Sequence, residues 1–253
     1  MSGIPGRVVV VTKAPRPGFA KTRLAPALGF EGAAELHRRF VDHTLALVEA
    51  SGLPVTVALG ADPDGRFAEE LRGRGLHVVA QCAGDLGDRM RSLVAPGGST
   101  TAGPTTAGPT TAGPTTAGPT TAGPTTAGPT TAERRVLIGT DCPLLVPSWL
   151  GEAVSAPCPV AIAPSEDGGY WAISVAPGVS DSVLDALFSD MPWSTDQVFS
   201  TTLSRLSQLG VAVTRLPTAW DIDEPADLVR LLADPGCPAV LRSHLSRHSP
   251  PLL

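Results

Sequence analysis

Two groups of residues in this chain have the types and spacing to do chemistry. The first is a basic loop. Between Lys13 and Leu24 the chain reads Lys-Ala-Pro-Arg-Pro-Gly-Phe-Ala-Lys-Thr-Arg-Leu, with Lys13, Arg16, Lys21 and Arg23 all cationic. Two prolines and a glycine forbid regular structure there. A rigid basic loop directly after a strand can wrap a polyphosphate. The loop is neither GxxxxGK[ST] nor GxGxxG, so it is not one of the common nucleotide fingerprints. The second group centres on Asp141, in Arg135-Val-Leu-Ile-Gly-Thr-Asp-Cys-Pro-Leu-Leu145. The apolar run Val136 to Ile138 reads as a buried strand, which puts Asp141 at its carboxyl end, where α/β sheets bind ligands. A carboxylate there suits a hard divalent cation that in turn holds phosphate oxygens. The plainer alternative, which the strand-end position weighs against, is that it closes the turn ahead of Pro143 or caps the next helix.

Further candidates lie in three segments. Gly84-Asp-Leu-Gly-Asp-Arg-Met90 offers Asp85 and Arg89, with Asp85 either a helix cap or a ligand contact. Glu166-Asp-Gly-Gly-Tyr-Trp171 combines acids, glycines and aromatics in a loop ahead of a strand. There Asp167 or Glu166 could bind an acceptor or serve as a base, and Gly168 and Gly169 allow close backbone approach. Trp171 suits a core position as well as it suits the loop. In Trp220-Asp-Ile-Asp-Glu-Pro-Ala-Asp-Leu228, Asp221 and Asp223 alternate at strand spacing and face opposite ways, so only one of them can share a cation with Asp141. His37 and His43 lie in a helical stretch without a zinc-like partner and read as packing residues.

These segments need a scaffold that brings distant strand ends together. Strands are predicted over Arg7–Thr12, Val55–Leu59, Leu76–Gln81, Val136–Ile138, Pro159–Ala163, Trp171–Val175 and Val211–Leu216. Helices are predicted over Phe30–Ala50, Phe67–Arg72, Pro147–Ser155 and Leu184–Phe188, with another opening near Ser194 as N-cap. The opening alternation of strand and helix implies an α/β sheet that is parallel, right-handed and helix-covered. Residues 99–132 are different in kind. Thr-Thr-Ala-Gly-Pro recurs six times there and ends in Thr-Thr-Ala. With no large apolar side chain and a proline in every period, the stretch is predicted to be a disordered insertion in a surface loop. The segment 234–253, rich in Pro, Ser and His, is predicted to fray.

Composition narrows the classes. The 253 residues suffice for one sizeable domain, and a net charge of -5 provides no general basic field for nucleic acid. No apolar run reaches membrane-spanning length, and the chain enters its first strand without a signal-like segment. Cys82, Cys142, Cys158 and Cys237 form no CxxC pair, in keeping with a reduced, cytoplasmic setting.

In their order along the chain, Lys13–Leu24, Gly84–Met90, Ile138–Pro143, Asp167–Trp171 and Trp220–Leu228 resemble the DUF2064 family of GT-A-fold glycosyltransferase-like proteins, within the nucleotide-diphospho-sugar transferase superfamily. The resemblance covers nearly the whole chain outside the repeats. It implies a Rossmann-like GT-A fold, a three-layer α/β/α sandwich with a mostly parallel central sheet. It also implies a nucleotide or nucleotide-sugar substrate against Lys13, Ala14, Pro15, Arg16, Lys21, Arg23, Asp85 and Arg89. Mg²⁺ or Mn²⁺ would sit on Asp141 and Asp223. A small-molecule acceptor would lie near Gly168, Gly169, Tyr170 and Trp171, with Asp141 and Asp167 as the catalytic acids. GT-A enzymes often carry Asp-x-Asp where this chain has the single acid of Thr140-Asp-Cys-Pro143. The reading that leads is metal-dependent sugar transfer from a nucleotide sugar. Nucleotidyl transfer from a nucleoside triphosphate to a phosphorylated small molecule is the alternative, and nucleotide binding without catalysis is a third.

Overall fold

Four consecutive valines, Val8 to Val11, begin the account of the fold. A strand places alternate side chains on opposite faces, so an all-valine strand must be covered on both. The computed structural model, which describes residues 5–95 and 133–248, shows that division: Val8 and Val10 join the core on one face of the sheet, while Val9 joins the core on the other. This strand, β1 (Gly6–Thr12), is the third of seven in a single sheet. The others are β2 (Val55–Leu59), β3 (His77–Ala80), β4 (Arg134–Ile138), β5 (Val160–Pro164), β6 (Tyr170–Val175) and β7 (Val213–Arg215), in the spatial order β3-β2-β1-β4-β6-β5-β7.

The sheet is mostly parallel. β1 pairs in parallel with β2 and β4, β2 with β3, and β5 with β7. Only β6 runs the other way, antiparallel to both β4 and β5. The reason is local: β5 and β6 are joined by Ser165–Gly169, and so short a link can connect only antiparallel neighbours. The sequence loop Pro164–Gly169 is therefore a hairpin connection. In register, Val10 faces Ile138 and Thr12 faces Leu59. The chain thus leaves β1, β2 and β4 at one common edge.

Helices cover both faces. On one side α1 (Ala25–Ser51), α2 (Arg66–Gly73) and α4 (Pro147–Ser155) bury Val41, Leu45, Phe67, Leu71 and Leu150. On the other, α3 (Leu86–Val94), α5 (Asp181–Phe188) and α6 (Val198–Gln208) bury Met90, Leu184, Leu187 and Leu206. This is the expected three-layer sandwich. Helix α1 starts earlier than its periodicity predicts and is broken at Gly29 (φ 71°, ψ 168°), a conformation open to glycine. A third cluster lies beyond the sheet edge. There Leu24, Leu36 and Phe40 meet Ile222, Leu228 and Leu231 of the segment leading into α7 (Pro225–Ala233), together with Leu241 and Leu245.

That cluster corrects the reading of the tail as frayed. Residues 239–248 form helix α8 (Ala239–His248), with Leu241 and Leu245 fully buried. Burying two leucines contributes roughly 3–6 kcal/mol, at about 1.5–3 each, enough to hold the segment down. Ser194 is not the N-cap of α6 either. It has a left-handed backbone (φ 63°), and Gln197 holds the cap position without a side-chain cap bond. The repeat insertion at 99–132 lies outside the described residues. Among the described residues no helix is long and apolar enough to cross a membrane.

Candidate active site

The common strand edge carries two adjoining clefts that meet at Asp141. The larger, about 420 Å³, is lined by Lys13, Lys21, Arg23, Arg89, Gln81, Thr140, Asp141 and Asp223, among others. The smaller, about 230 Å³, is lined by Asp141, Cys142, Asp167, Gly169, Tyr170, Trp171, Trp193 and Asp221, among others. Leu86 and Gly139 also border both.

The basic cleft is built around Lys21. Its Nζ lies 3.0 Å from Asp141 Oδ1 and 3.0 Å from Asp223 Oδ1, and donates to Ile222 O at 2.6 Å. Its side chain is 5% exposed, whereas the two carboxylates are 41% and 43% exposed. Burial alone would lower the Lys21 pKa. The charges of Asp141 and Asp223 and their hydrogen bonds outweigh it and hold the ammonium above its ordinary value. Lys21 also adopts a left-handed backbone (φ 48°, ψ 43°), rare for a residue with a Cβ. Arg23 Nη1 reaches the other oxygen of Asp223 at 3.2 Å. Arg89 Nε donates to Asp85 O at 3.0 Å. Gln81 Nε2 ties the strand ends together, donating to Thr12 O at 3.0 Å and Ala58 O at 2.9 Å. Beneath Lys13, buried His37 places Nε2 3.1 Å from Lys13 O, and burial lowers its pKa. It is a packing residue that also holds the loop.

Asp223 is positioned from a distance. The backbone N–H of Ile222 donates to Asp141 O at 2.9 Å, which stitches residues 219–223 across the end of β4. Asp227 Oδ2 then accepts from the N–H groups of Asp223 (2.9 Å) and Glu224 (2.7 Å), fixing the turn into α7.

The second pocket is acidic and aromatic. Asp167 Oδ1 accepts from Gly169 N at 3.0 Å and from the Ser165 hydroxyl. Tyr170 and Trp193 meet edge to face, with centroids 6.4 Å apart. The Tyr170 hydroxyl and Trp193 Nε1 are buried without a hydrogen-bond partner. Burial pushes the Tyr170 pKa upward. Asp221 is pushed up to about 6, first by burial and then by the charge of Asp167. Burial, with Asp141 and Asp221, also raises the Cys142 thiol.

Not every residue chosen from sequence lies in these clefts. Lys13, Lys21, Arg23, Arg89, Asp141 and Asp223 come together, as do Asp167, Gly169, Tyr170 and Trp171 around the second pocket. Asp85 lines neither cleft. It caps α3 in a reciprocal box, accepting from Asp88 N at 2.8 Å while its own N–H donates to Asp88 Oδ2 at 3.1 Å. Arg16 lies over the Phe19 ring, Ala14 is buried, and Pro15 lines neither cleft. Glu166 turns away to pair with Arg230 at 2.7 and 2.9 Å. Gly168 serves the loop itself: its φ is +87°, and an added Cβ would fall 2.2 Å from Asp196 O. Trp171 is mainly core, 5% exposed, with Nε1 donating to Pro217 O at 2.9 Å. Asp221 was missed as a site residue. Its alternation with Asp223 was the available signal, and it faces the second pocket while Asp223 faces the first.

Among the described residues no group of three or more His, Cys, Asp or Glu side chains converges to hold a metal. The carboxylates that could contribute to a cation site are those of Asp141 and Asp223, each with an oxygen 3.0 Å from the Lys21 ammonium. That set fits Mg²⁺ or a similar ion, which is commonly bound by one or two carboxylates with substrate phosphates and water supplying the rest.

Residues 116–195 match the family described as "Uncharacterized protein conserved in bacteria (DUF2064)". None of the curated proteins matches the chain in sequence. Among solved structures, a protein of Desulfovibrio desulfuricans G20 put forward as a nucleotide-diphospho-sugar transferase is 22% identical, with a TM-score of 0.74 over 96% of this chain and 95% of that one. A 4-diphosphocytidyl-2C-methyl-D-erythritol synthase is 12% identical, with a TM-score of 0.52 over 92% of this chain and 100% of that one. The enzyme of that name from Anaerococcus prevotii DSM 20548 is 9% identical, with a TM-score of 0.50 over 96% and 99%. At these identities the likeness is one of fold. The match to that family spans residues 116–195, about a third of the chain, and the solved structures share its Rossmann-like GT-A architecture, a three-layer α/β/α sandwich.

Proposed function

We propose that this chain is a nucleotidyltransferase, which joins a nucleoside triphosphate to a phosphorylated small molecule and releases pyrophosphate. The observation that carries this reading is the convergence of Lys13, Lys21, Arg23 and Arg89 with Asp141 and Asp223 at the carboxyl edge of the sheet. Cations outnumber carboxylates there, and the more highly charged the phosphate chain, the better it suits that cleft. The shared fold with a synthase named for a diphosphocytidyl product is in keeping with the assignment.

In this reading the acceptor body occupies the second pocket and its phosphate reaches toward Asp141, where the clefts join. An oxygen of that phosphate bonds to the α-phosphorus. The bond from the α-phosphorus to the bridging oxygen breaks, and pyrophosphate leaves with the electron pair. Arg23, Arg89 and Lys13 hold the phosphate chain and offset charge that builds on the leaving group. Asp141 and Asp223 would hold Mg²⁺ or Mn²⁺. Such an ion, when bound, supplies further charge compensation at phosphate oxygens. Asp167 orders the loop that closes the acceptor side. The four cysteines are free thiols, which supports a reducing, cytoplasmic setting.

Sugar transfer from a nucleotide sugar is the second reading, favoured by one feature. Among its lining residues the second pocket has no Lys, Arg or His, and it presents Asp221 with a pKa of about 6. That suits a base taking a proton from an acceptor hydroxyl. The test is a panel of nucleoside triphosphates and nucleotide sugars with Mg²⁺ or Mn²⁺, first by thermal shift and then with acceptors by product analysis. Stabilisation by a triphosphate and released pyrophosphate are expected. Released nucleoside diphosphate from a nucleotide sugar would overturn nucleotidyl transfer in favour of the second reading. Binding with no turnover would leave a nucleotide-binding protein.

A further inference from the structure

An ammonium group has three N–H donors and no acceptor. All three donors of Lys21 are engaged, by Asp141 Oδ1, Asp223 Oδ1 and Ile222 O. None is left for a phosphate, although Lys21 lines the phosphate cleft. Nor are the two carboxylates free, because the oxygens that would hold a divalent ion already converge on Nζ. The arrangement is not a loose surface contact. The lysine is 5% exposed, packs over the Phe40 ring at 6.0 Å and holds a left-handed backbone.

We infer that Lys21 is a resident cation which, in the nucleotide-free protein, closes the Asp141–Asp223 pair to divalent ions, so that metal enters only when nucleotide phosphates take up the ammonium. This rests on the reading of Asp141 and Asp223 as metal-binding acids. The exchange keeps every charge partnered. The ammonium passes from carboxylate to phosphate as the metal takes its place, and no buried charge is left alone, which would be costly. Arg23, also on Asp223 but 66% exposed, can follow at little cost. Free metal, by contrast, must displace a buried ammonium that has nowhere else to go. Metal and nucleotide therefore assist one another's binding, and the coupling is reciprocal.

The experiment is a calorimetric titration of nucleotide-free protein with Mn²⁺ alone, in the wild type, in Lys21→Met, and in Lys21→Met carrying Asp141→Asn. The expected result is Mn²⁺ binding at least tenfold tighter in Lys21→Met than in the wild type, and lost again with Asp141→Asn. Equal binding by wild type and Lys21→Met, lost when Asp141→Asn is added to Lys21→Met, overturns the gate and leaves the metal-binding acids standing. Absence of Mn²⁺ binding in a folded Lys21→Met, or binding that survives Asp141→Asn, overturns the acid pair itself and the gate with it. Tight Mn²⁺ binding by the nucleotide-free wild type overturns the gate without recourse to any variant. A melting curve on each variant establishes that it is folded.

Discussion

The two clefts share Asp141 and differ in almost everything else. In the basic cleft three of the four cations already have partners. Lys21 and Arg23 are held by Asp141 and Asp223, and Arg89 by a backbone carbonyl. In the acidic pocket, polarity is left over. Asp167 and Asp221 repel one another, and the Tyr170 hydroxyl and the Trp193 indole N–H have no acceptor. The contrast predicts that a ligand entering the first cleft would have to exchange partners with the ion pairs there, whereas one entering the second would supply partners that cleft lacks. A ligand for the first must compete with internal ion pairs. A ligand for the second is rewarded for hydroxyls that can donate to carboxylates and accept from Tyr170 or Trp193.

The sharpest way to break the comparison is through the residue the clefts share. Asp141→Ala is expected to abolish metal-dependent nucleotide binding and to lower turnover by roughly 10²-fold or more, the scale of losing a principal electrostatic group. Nucleotide titrations with and without Mn²⁺, beside a melting curve, check it. Unchanged affinity in the folded variant would remove Asp141 from the site. Next in size is Arg89→Ala, confined to the basic side. Losing one charge-assisted contact, about 1.5–3 kcal/mol, should weaken nucleotide binding by at least roughly tenfold and leave the acceptor KM unchanged. The wild-type advantage should shrink in high salt.

Gly168→Ala tests the other side. Its φ of +87° and the 2.2 Å approach to Asp196 O force the acceptor loop to shift. At about 1–3 kcal/mol of strain, a roughly tenfold rise in acceptor KM is expected with nucleotide affinity unchanged. Equal losses in both would show that the clefts are not independent. The smallest effect belongs to Asp221. Its folded pKa of about 6 lies above the ordinary 3.8, so the folded state holds the proton more tightly. Stability should then fall as pH rises from about 4 to 6. Asp221→Asn should flatten that slope and stabilise the protein at pH 7 by about 1 kcal/mol, discounted for partial solvent exposure. Urea melts at pH 4, 5, 6 and 7 measure it.

What was legible in the sequence follows from how local each signal is. The valine run, the strand Val55–Leu59 and the helix Pro147–Ser155 could be read directly, because period and breakers lie within the segment. The basic loop could be read because its cations are close in sequence. Lys21 could not be placed against phosphate or carboxylate, since its partners are contributed by residues more than a hundred positions away. Asp85 was ambiguous because a cap and a ligand contact use the same residue type, and only the bonds to Asp88 decide. Helix α8 was missed because its polar composition concealed Leu241 and Leu245, whose burial depends on Leu36 and Phe40 of α1. The pocket role of Asp221 depended on which way a non-strand segment turned over the end of β4.

That crossing has a consequence for biosynthesis. Ile222 ties its N–H to Asp141 and its carbonyl to Lys21, while Glu166 N–H is held by Ala219 O. The five residues 219–223 thus close a seam between the opening loop, the β4 end and the β5–β6 hairpin. During translation the sheet from β1 to β6 can assemble before this seam emerges from the ribosome. Until then Lys21 has one of its two aspartates and no carbonyl. A nascent chain is therefore expected to carry a folded sheet with an open, unlatched basic cleft, and to close it only once residues 219–227, including the Asp227 that fixes Asp223, are released.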